Sequence, residues 1–438
     1  MEKFKYNSLD EIKNECAKIG VNLPFSQNTA VLNQKLQIKN IAANNRIAIQ
    51  PMEGCDGTFD GKPDELTFRR YERFAKSGAG LIWVEACAVV NEGRANPRQL
   101  FINNNNLESF KKMTDMIKET SVKENGFAPV LICQLTHSGR YSKPQGVPAP
   151  LIAYNNPVFE KGNPIDSDRI LSDDYFKNLE EKFAECAYLA ERAGFDGADI
   201  KACHRYLLSE TLSAFTRSGE YGGSFENRTK LLRNSIMGAV NNTSGNFIVT
   251  TRMNAFDGFD YPYGFGKINE NGSEDFSEAC ELVKILNEQS GVELVDITIG
   301  NPYVNPHVNR PYESGGYITG EHQFQGVDRI MRAAKAVKQY NQSVKVISSG
   351  YSYLRQFSPN LAAGMIENNF ADMAGFGRMA FAYPDFAKKA LQNEPLEKNK
   401  CCITCSKCTE LMRAGTVAGC VVRDSETYLP IYKEKCIK

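Results

Sequence analysis

Near its end the chain reads Cys402-x2-Cys405-x2-Cys408-x11-Cys420, and four thiolates at that spacing can hold a metal centre. Three thiols in one short loop, with a fourth arriving later, suit the four corners of a cubane iron–sulfur cluster. They also suit tetrahedral zinc. The chain has thirteen cysteines, yet five of them, counting Cys401, fall within residues 401–420. That crowding favours a metal centre, and the company the motif keeps upstream favours the cluster. Far upstream, Glu53, Gln134, His137, Lys201, His204, Tyr206 and Arg252 stand at or just beyond the ends of short apolar runs. Chemistry there depends on a scaffold that gathers those ends.

The runs themselves point to one. They are Arg46–Gln50, Gly80–Glu85, Pro129–Leu135, Gly197–Lys201, Phe247–Met253, Leu294–Ile299, Val344–Ser349 and Phe370–Phe376, each followed by a stretch long enough for a helix. A short apolar run cannot be told from buried helix by its period alone. Eight strand–helix repeats nevertheless fit an α/β fold of the (β/α)8 TIM-barrel type, with a short C-terminal iron–sulfur cluster segment. In this fold the chemistry sits at the C-terminal strand ends, where the polar residues cluster. The expected organisation is an N-terminal helical extension over 1–40, the barrel over 41–395 and the cysteine segment over 396–438. Two insertions, 141–174 after the third strand and 301–325 after the sixth, are expected to wall the substrate or act as lids. The second carries Tyr303, His307, Tyr312 and Tyr317, with His307 as a candidate second acid.

The chain has 438 residues, 42% of them hydrophobic, and a net charge of zero. A balanced charge removes the electrostatic case for nucleic acid. No apolar run approaches the roughly 18 residues of a membrane span, and the charged N-terminus lacks the apolar core of a secretory signal. The odd cysteine count argues against a disulfide framework, so a reducing cytoplasm is expected. Homo-oligomerisation is left open.

The strand-end motifs carry a resemblance. Asn45–Met52 (NRIAIQPM), Gln134–Ser142 (QLTHSGRYS), Cys203–Arg228 (CHRYLLSETLSAFTRSGEYGGSFENR) and Gly375–Phe386 (GFGRMAFAYPDF), followed by the cysteine cluster, resemble the Old Yellow Enzyme family of flavin oxidoreductases. The likeness is to its iron–sulfur branch, which includes 2,4-dienoyl-CoA reductase and trimethylamine dehydrogenase. It implies a TIM barrel with FMN at the mouth and a [4Fe-4S] cluster on Cys402, Cys405, Cys408 and Cys420. Pro51 and Met52 would lie against the isoalloxazine, with Ala86 beside it, and Gln134 would bond the pyrimidine edge. Arg252 would stabilise the reduced ring, a role that fits a cation at the end of an apolar strand. Gly350, Gly377 and Arg378 would take the phosphate, the glycines by close approach and the arginine by its fork.

By the same resemblance, Lys201 and His204 would polarise a substrate carbonyl and Tyr206 would donate a proton. Lysine at 201 departs from the family's usual histidine, and Glu53 from a small or neutral neighbour of the flavin. No Gly-x-Gly-x-x-Gly follows a strand, so neither FAD nor a built-in Rossmann module is expected. The reading is an ene-reductase acting on a C=C conjugated to a carbonyl, with electrons from NAD(P)H or a carrier protein. Its rivals are an oxidative amine demethylase and an electron-transfer subunit of a larger complex. Against the first, the only tryptophan, Trp83, lies in a strand and not in an aromatic cage.

Overall fold

The computed structural model describes residues 3–437; Met1 and Glu2, at the head of the expected extension, and Lys438, at the foot of the cysteine segment, lie outside it. Eight parallel strands close a barrel: β1 Ile47–Ile49, β2 Leu81–Ala88, β3 Val130–Thr136, β4 Gly197–Ile200, β5 Ile248–Asn254, β6 Leu294–Thr298, β7 Lys345–Ser348 and β8 Met373–Phe376. Each falls within or overlaps one of the apolar runs. Closure comes from β8 pairing with β1, with Ala374 opposite Ile47. The strands are buried along nearly their whole length, which is why they read as continuous apolar runs and not as alternation.

Helices follow the strands, and several announce their starts. Ser172 accepts from the Tyr175 amide to cap Asp173–Arg192, and Ser224 accepts from Asn227 to cap Phe225–Asn242. Gly126 and Gly291, both left-handed, end the helices Leu107–Asn125 and Ser277–Ser290. Before the barrel, the helix Leu9–Lys18 is followed by an antiparallel hairpin, Leu36–Ile38 with Ile41–Ala43. Leu36, Ile38 and Ala43 pack with Leu81, Trp83, Ile132 and Ile347, so the hairpin closes the barrel's lower end. Trp83 is 1% exposed there and donates to Asp199 at 2.9 Å, far from the role of a cage wall.

The β2–β3 register shifts between Val84 and Cys87. A bulge re-aims side chains, and here Glu85 points to Arg70 of the helix Glu65–Ala75. Arg70 also takes Asp56, with Nη2 to Oδ1 at 3.0 Å, and all three residues are buried. Burial pushes the Glu85 carboxyl up to about 7, against the pull of Arg70. Replacing Arg70 by Met leaves two carboxylates without their cation, and should cost about 3–5 kcal/mol in urea unfolding. The loss should shrink as pH falls, because protonating the pair removes their repulsion.

All thirteen cysteines are free among the described residues, and no described helix is long and apolar enough to cross a membrane.

Candidate active site

The loop after β4 is locally strained. His204 and Arg205 both have φ of 64°, a left-handed conformation that costs a non-glycine residue roughly 1–2 kcal/mol. Strain of this kind persists only where neighbours over-determine it. The His204 amide donates to Asn254 at 3.2 Å, and the Arg205 amide to Ser209 at 3.2 Å. The Arg205 guanidinium, fully buried, reaches Asp257 at 3.2 Å and the Tyr154 hydroxyl at 2.9 Å. The anchored loop sets three candidates side by side. Lys201 Nζ sits 3.7 Å from the centre of the Tyr206 ring, and His204 has a buried Nε2 without a hydrogen-bond partner.

Burial lowers the Lys201 ammonium pKa. It drives His204 well below the usual histidine range, helped by Arg252, Lys201 and Arg378. Tyr206 moves the other way: desolvation, then Tyr303 and Glu53, raise its phenol well above the usual value. The Tyr206 and Tyr303 hydroxyls are 3.0 Å apart, and Tyr141 stacks on Tyr303 with centroids 3.8 Å apart. Tyr141 and Tyr303 come from the two insertions, which therefore meet over Tyr206. Glu53 completes the group. Asn96 donates to it at 3.3 Å, and burial raises its carboxyl pKa while Lys201 and Tyr206 oppose the shift.

Next to this cluster a cavity of about 570 Å³ opens at the C-terminal ends of the strands. Met52, Arg252, Gly350, Gly377 and Arg378 line it. Gly350 has φ of 98°, which favours glycine, and at Gly377 the backbone approaches the Met52 side chain, whose sulfur a Cβ would meet at 2.7 Å. Arg252 Nε is 3.0 Å from Asp296, whose carboxyl burial pushes up to about 7. Pro51 and Ala86 are buried beside these elements but are not among the lining residues. Gln134 is turned inward: its amide donates to Asp199 at 2.7 Å and does not line the cavity.

Gln50, Asp296 and Arg310 are prominent here, and strand-end reasoning did not single them out. Gln50 and Asp296 lie inside the apolar runs themselves, where a polar residue among hydrophobic ones was the available signal. Two other histidines do not line this cavity. His137 sits between the Gly139 amide and the Tyr175 hydroxyl, each at 3.0 Å, with its pKa lowered by burial to about 3. His307 faces Glu321 at 3.0 Å beside a separate groove.

Cys402, Cys405, Cys408 and Cys420 together line a cavity of about 370 Å³, next to Arg378, Phe381 and Thr404. Among the described residues no three His, Cys, Asp or Glu side chains converge as a single-ion site requires; the thiols surround a shared space instead. Thr404 and Ser406 take φ of 48° and 61°, which turns the short loop so that its thiols face inward. The Thr404 amide donates to the Cys402 sulfur at 3.4 Å, and the Arg423 amide to Cys420 at 3.3 Å. Burial raises both thiol pKa values, that of Cys402 to about 12, and these amide bonds oppose the shift. Cys401 bonds the Glu397 carbonyl and lies outside the lining.

The sequence profile of the NADH:flavin oxidoreductase / NADH oxidase family matches residues 32–397. The NADPH dehydrogenase of Bacillus subtilis (strain 168) is 29% identical over 363 residues, 81% of this chain and 92% of that one. The structure of 2-naphthoyl-CoA reductase superposes with a TM-score of 0.72 at 18% identity, covering 90% of this chain. This chain spans 57% of that protein's length. Morphinone reductase superposes at 0.61 with 20% identity, over 84% of this chain and 92% of that one.

Proposed function

The chain belongs to the NADH:flavin oxidoreductase / NADH oxidase family, and from that premise we propose an FMN-dependent reductase of a C=C bond conjugated to a carbonyl, carrying a [4Fe-4S] cluster on Cys402, Cys405, Cys408 and Cys420. Family membership implies FMN and an oxidoreductase. The observation that carries the finer reading is adjacency. A cavity lined by Arg252, Arg310, Arg378 and two glycines lies beside the Lys201–His204–Tyr206 cluster, on which Arg252 and Arg378 act. Arginines and close backbone suit a phosphate and an electron-rich ring. A phenol next to an ammonium and an imidazole suits an enolate and the carbon that must be protonated.

Bound FMN would supply the hydride to the β-carbon. Lys201 and His204 would hold the carbonyl oxygen and stabilise the charge that develops on it. Tyr206 would pass its proton to the α-carbon and recover one through the Tyr303 hydroxyl. Tyr141 and Tyr303 would cover the substrate's flat face and exclude water. The amine-oxidising alternative loses support at Tyr206, because a resident ammonium already occupies the face of that ring and would repel a cationic substrate. The relation to NADPH dehydrogenase supports a nicotinamide donor. The cluster reading is supported by four thiols around one cavity with amide donors to two of them.

Protein purified anaerobically should release FMN on heating, identified by chromatography. Its reduced flavin should be reoxidised by members of a panel of conjugated carbonyls. Release of FAD, or no flavin at all, would sink this reading.

A further inference from the structure

Arg310 lies in the insertion 301–325, and no motif announced it. It is 8% exposed. It lines the large cavity together with Arg378. The charges that act on it are chiefly Arg378, Cys408 and Cys402, with no carboxylate among them, and burial lowers its pKa to about 9. Nε of both arginines lacks a hydrogen-bond partner. Arg310 is buried and Arg378 half-buried beside it, and a buried guanidinium facing a like charge is costly unless an anion is delivered to it.

The other face of Arg310 is engaged. Nη1 donates to Ser406 Oγ and Nη2 to Thr409 Oγ1, both at 3.2 Å, and Arg378 Nη2 reaches the same Thr409 hydroxyl at 3.5 Å. Ser406 and Thr409 flank Cys405 and Cys408 in the sequence. Moreover, Arg378 and Thr404 line both the large cavity and the cysteine-lined one, so the two spaces share a wall. Thr404 is tied to the same insertion, accepting from the Glu313 amide at 3.2 Å.

We propose that Arg310 is the second arm of a two-arginine clamp on the flavin phosphate, and that through Ser406 and Thr409 it couples phosphate binding to the order of the cysteine loop 402–409. This rests on the FMN reading above. A dianion between the guanidiniums relieves their repulsion and fixes Arg310, which in turn fixes the hydroxyls on the loop. The coupling is reciprocal by linkage: an ordered loop strengthens phosphate binding by the same factor. Riboflavin, which lacks the phosphate, would fill the ring site without engaging the clamp.

The test uses the full chain stripped of flavin under anaerobic conditions, titrated with FMN and with riboflavin by fluorescence quenching. Arg310→Gln should raise the FMN Kd roughly 10- to 100-fold, the range of a lost charged hydrogen bond, and leave the riboflavin Kd within twofold. In hydrogen exchange, FMN should protect residues 402–409 of the wild type and riboflavin should not. In Arg310→Gln that difference should vanish. Arg310→Lys, which keeps the charge but not the fork, should retain folding and fall between the two in FMN affinity. Equal weakening of both flavins, or equal protection by both, would overturn the proposal. If FMN binds the wild type and Arg310→Gln does not weaken it, the clamp fails while the flavin reading stands. If the wild type binds neither flavin, both fail.

Discussion

Tyr206→Phe should slow oxidation of the reduced flavin by an enone by roughly 10²–10⁴-fold, the usual contribution of a positioned general acid. Flavin reduction should stay near its wild-type rate. The division of labour explains the asymmetry: hydride delivery to the ring needs no phenol, whereas the second half-reaction must also place a proton on carbon. Tyr206 is 3% exposed, and desolvation raises its pKa well above the usual value. The sign of that shift keeps the phenol protonated throughout the neutral range and into alkaline solution. Under the proposed function it is therefore available to donate at all these pH values, and its ionisation adds no limb to the pH profile around neutrality. Tyr303→Phe should have a smaller effect, because it removes the 3.0 Å relay to Tyr206 but leaves the donor itself. Stopped-flow measurement of the two half-reactions separates these cases. Equal, small losses in both halves would make Tyr206 a packing residue.

The parts of this site that could be read in the chain are those set by local pattern. Strand ends in a barrel are gathered by topology, so Met52, Arg252, Gly350, Gly377 and Arg378 arrive at one cavity although they come from four different strand ends. Apolar runs fix the strands, and topology does the rest. What local pattern does not carry is which way a polar side chain turns. Gln134 stands on β3, yet its amide is spent on Asp199 inside the barrel, because that buried carboxylate also takes Trp83 and the Arg252 amide and draws donors toward it. Insertions have no period at all. Arg310 and Tyr303 acquire their partners, Thr409 and Tyr206, across about a hundred residues of chain. Glu53 is a related case: the sequence marks it only as a departure from a small or neutral neighbour of the flavin, and the fold surrounds it with Asn96, Lys201 and Tyr206.

Cys405→Ala should abolish stoichiometric iron and acid-labile sulfide. A four-thiolate cluster cannot keep its fourth corner when one ligand becomes a methyl group, and no histidine or carboxylate lines the cavity to replace it. Metal binding and folding are coupled where the site is built from a short segment. The segment has anchors of its own, however. The Ala418 amide donates to the Gly54 carbonyl at 2.7 Å, Arg69 pairs with Asp424 at 2.8 Å, and Leu411, Val417, Val421, Tyr428 and Tyr432 form a small core. The expected result is therefore local. Hydrogen exchange should rise over residues 402–420, while the barrel strands keep their protection and the cooperative melt persists. Global unfolding would mean that the cluster holds the whole fold together. Stoichiometric zinc without sulfide in the wild type would overturn the cluster reading and put a structural ion in its place.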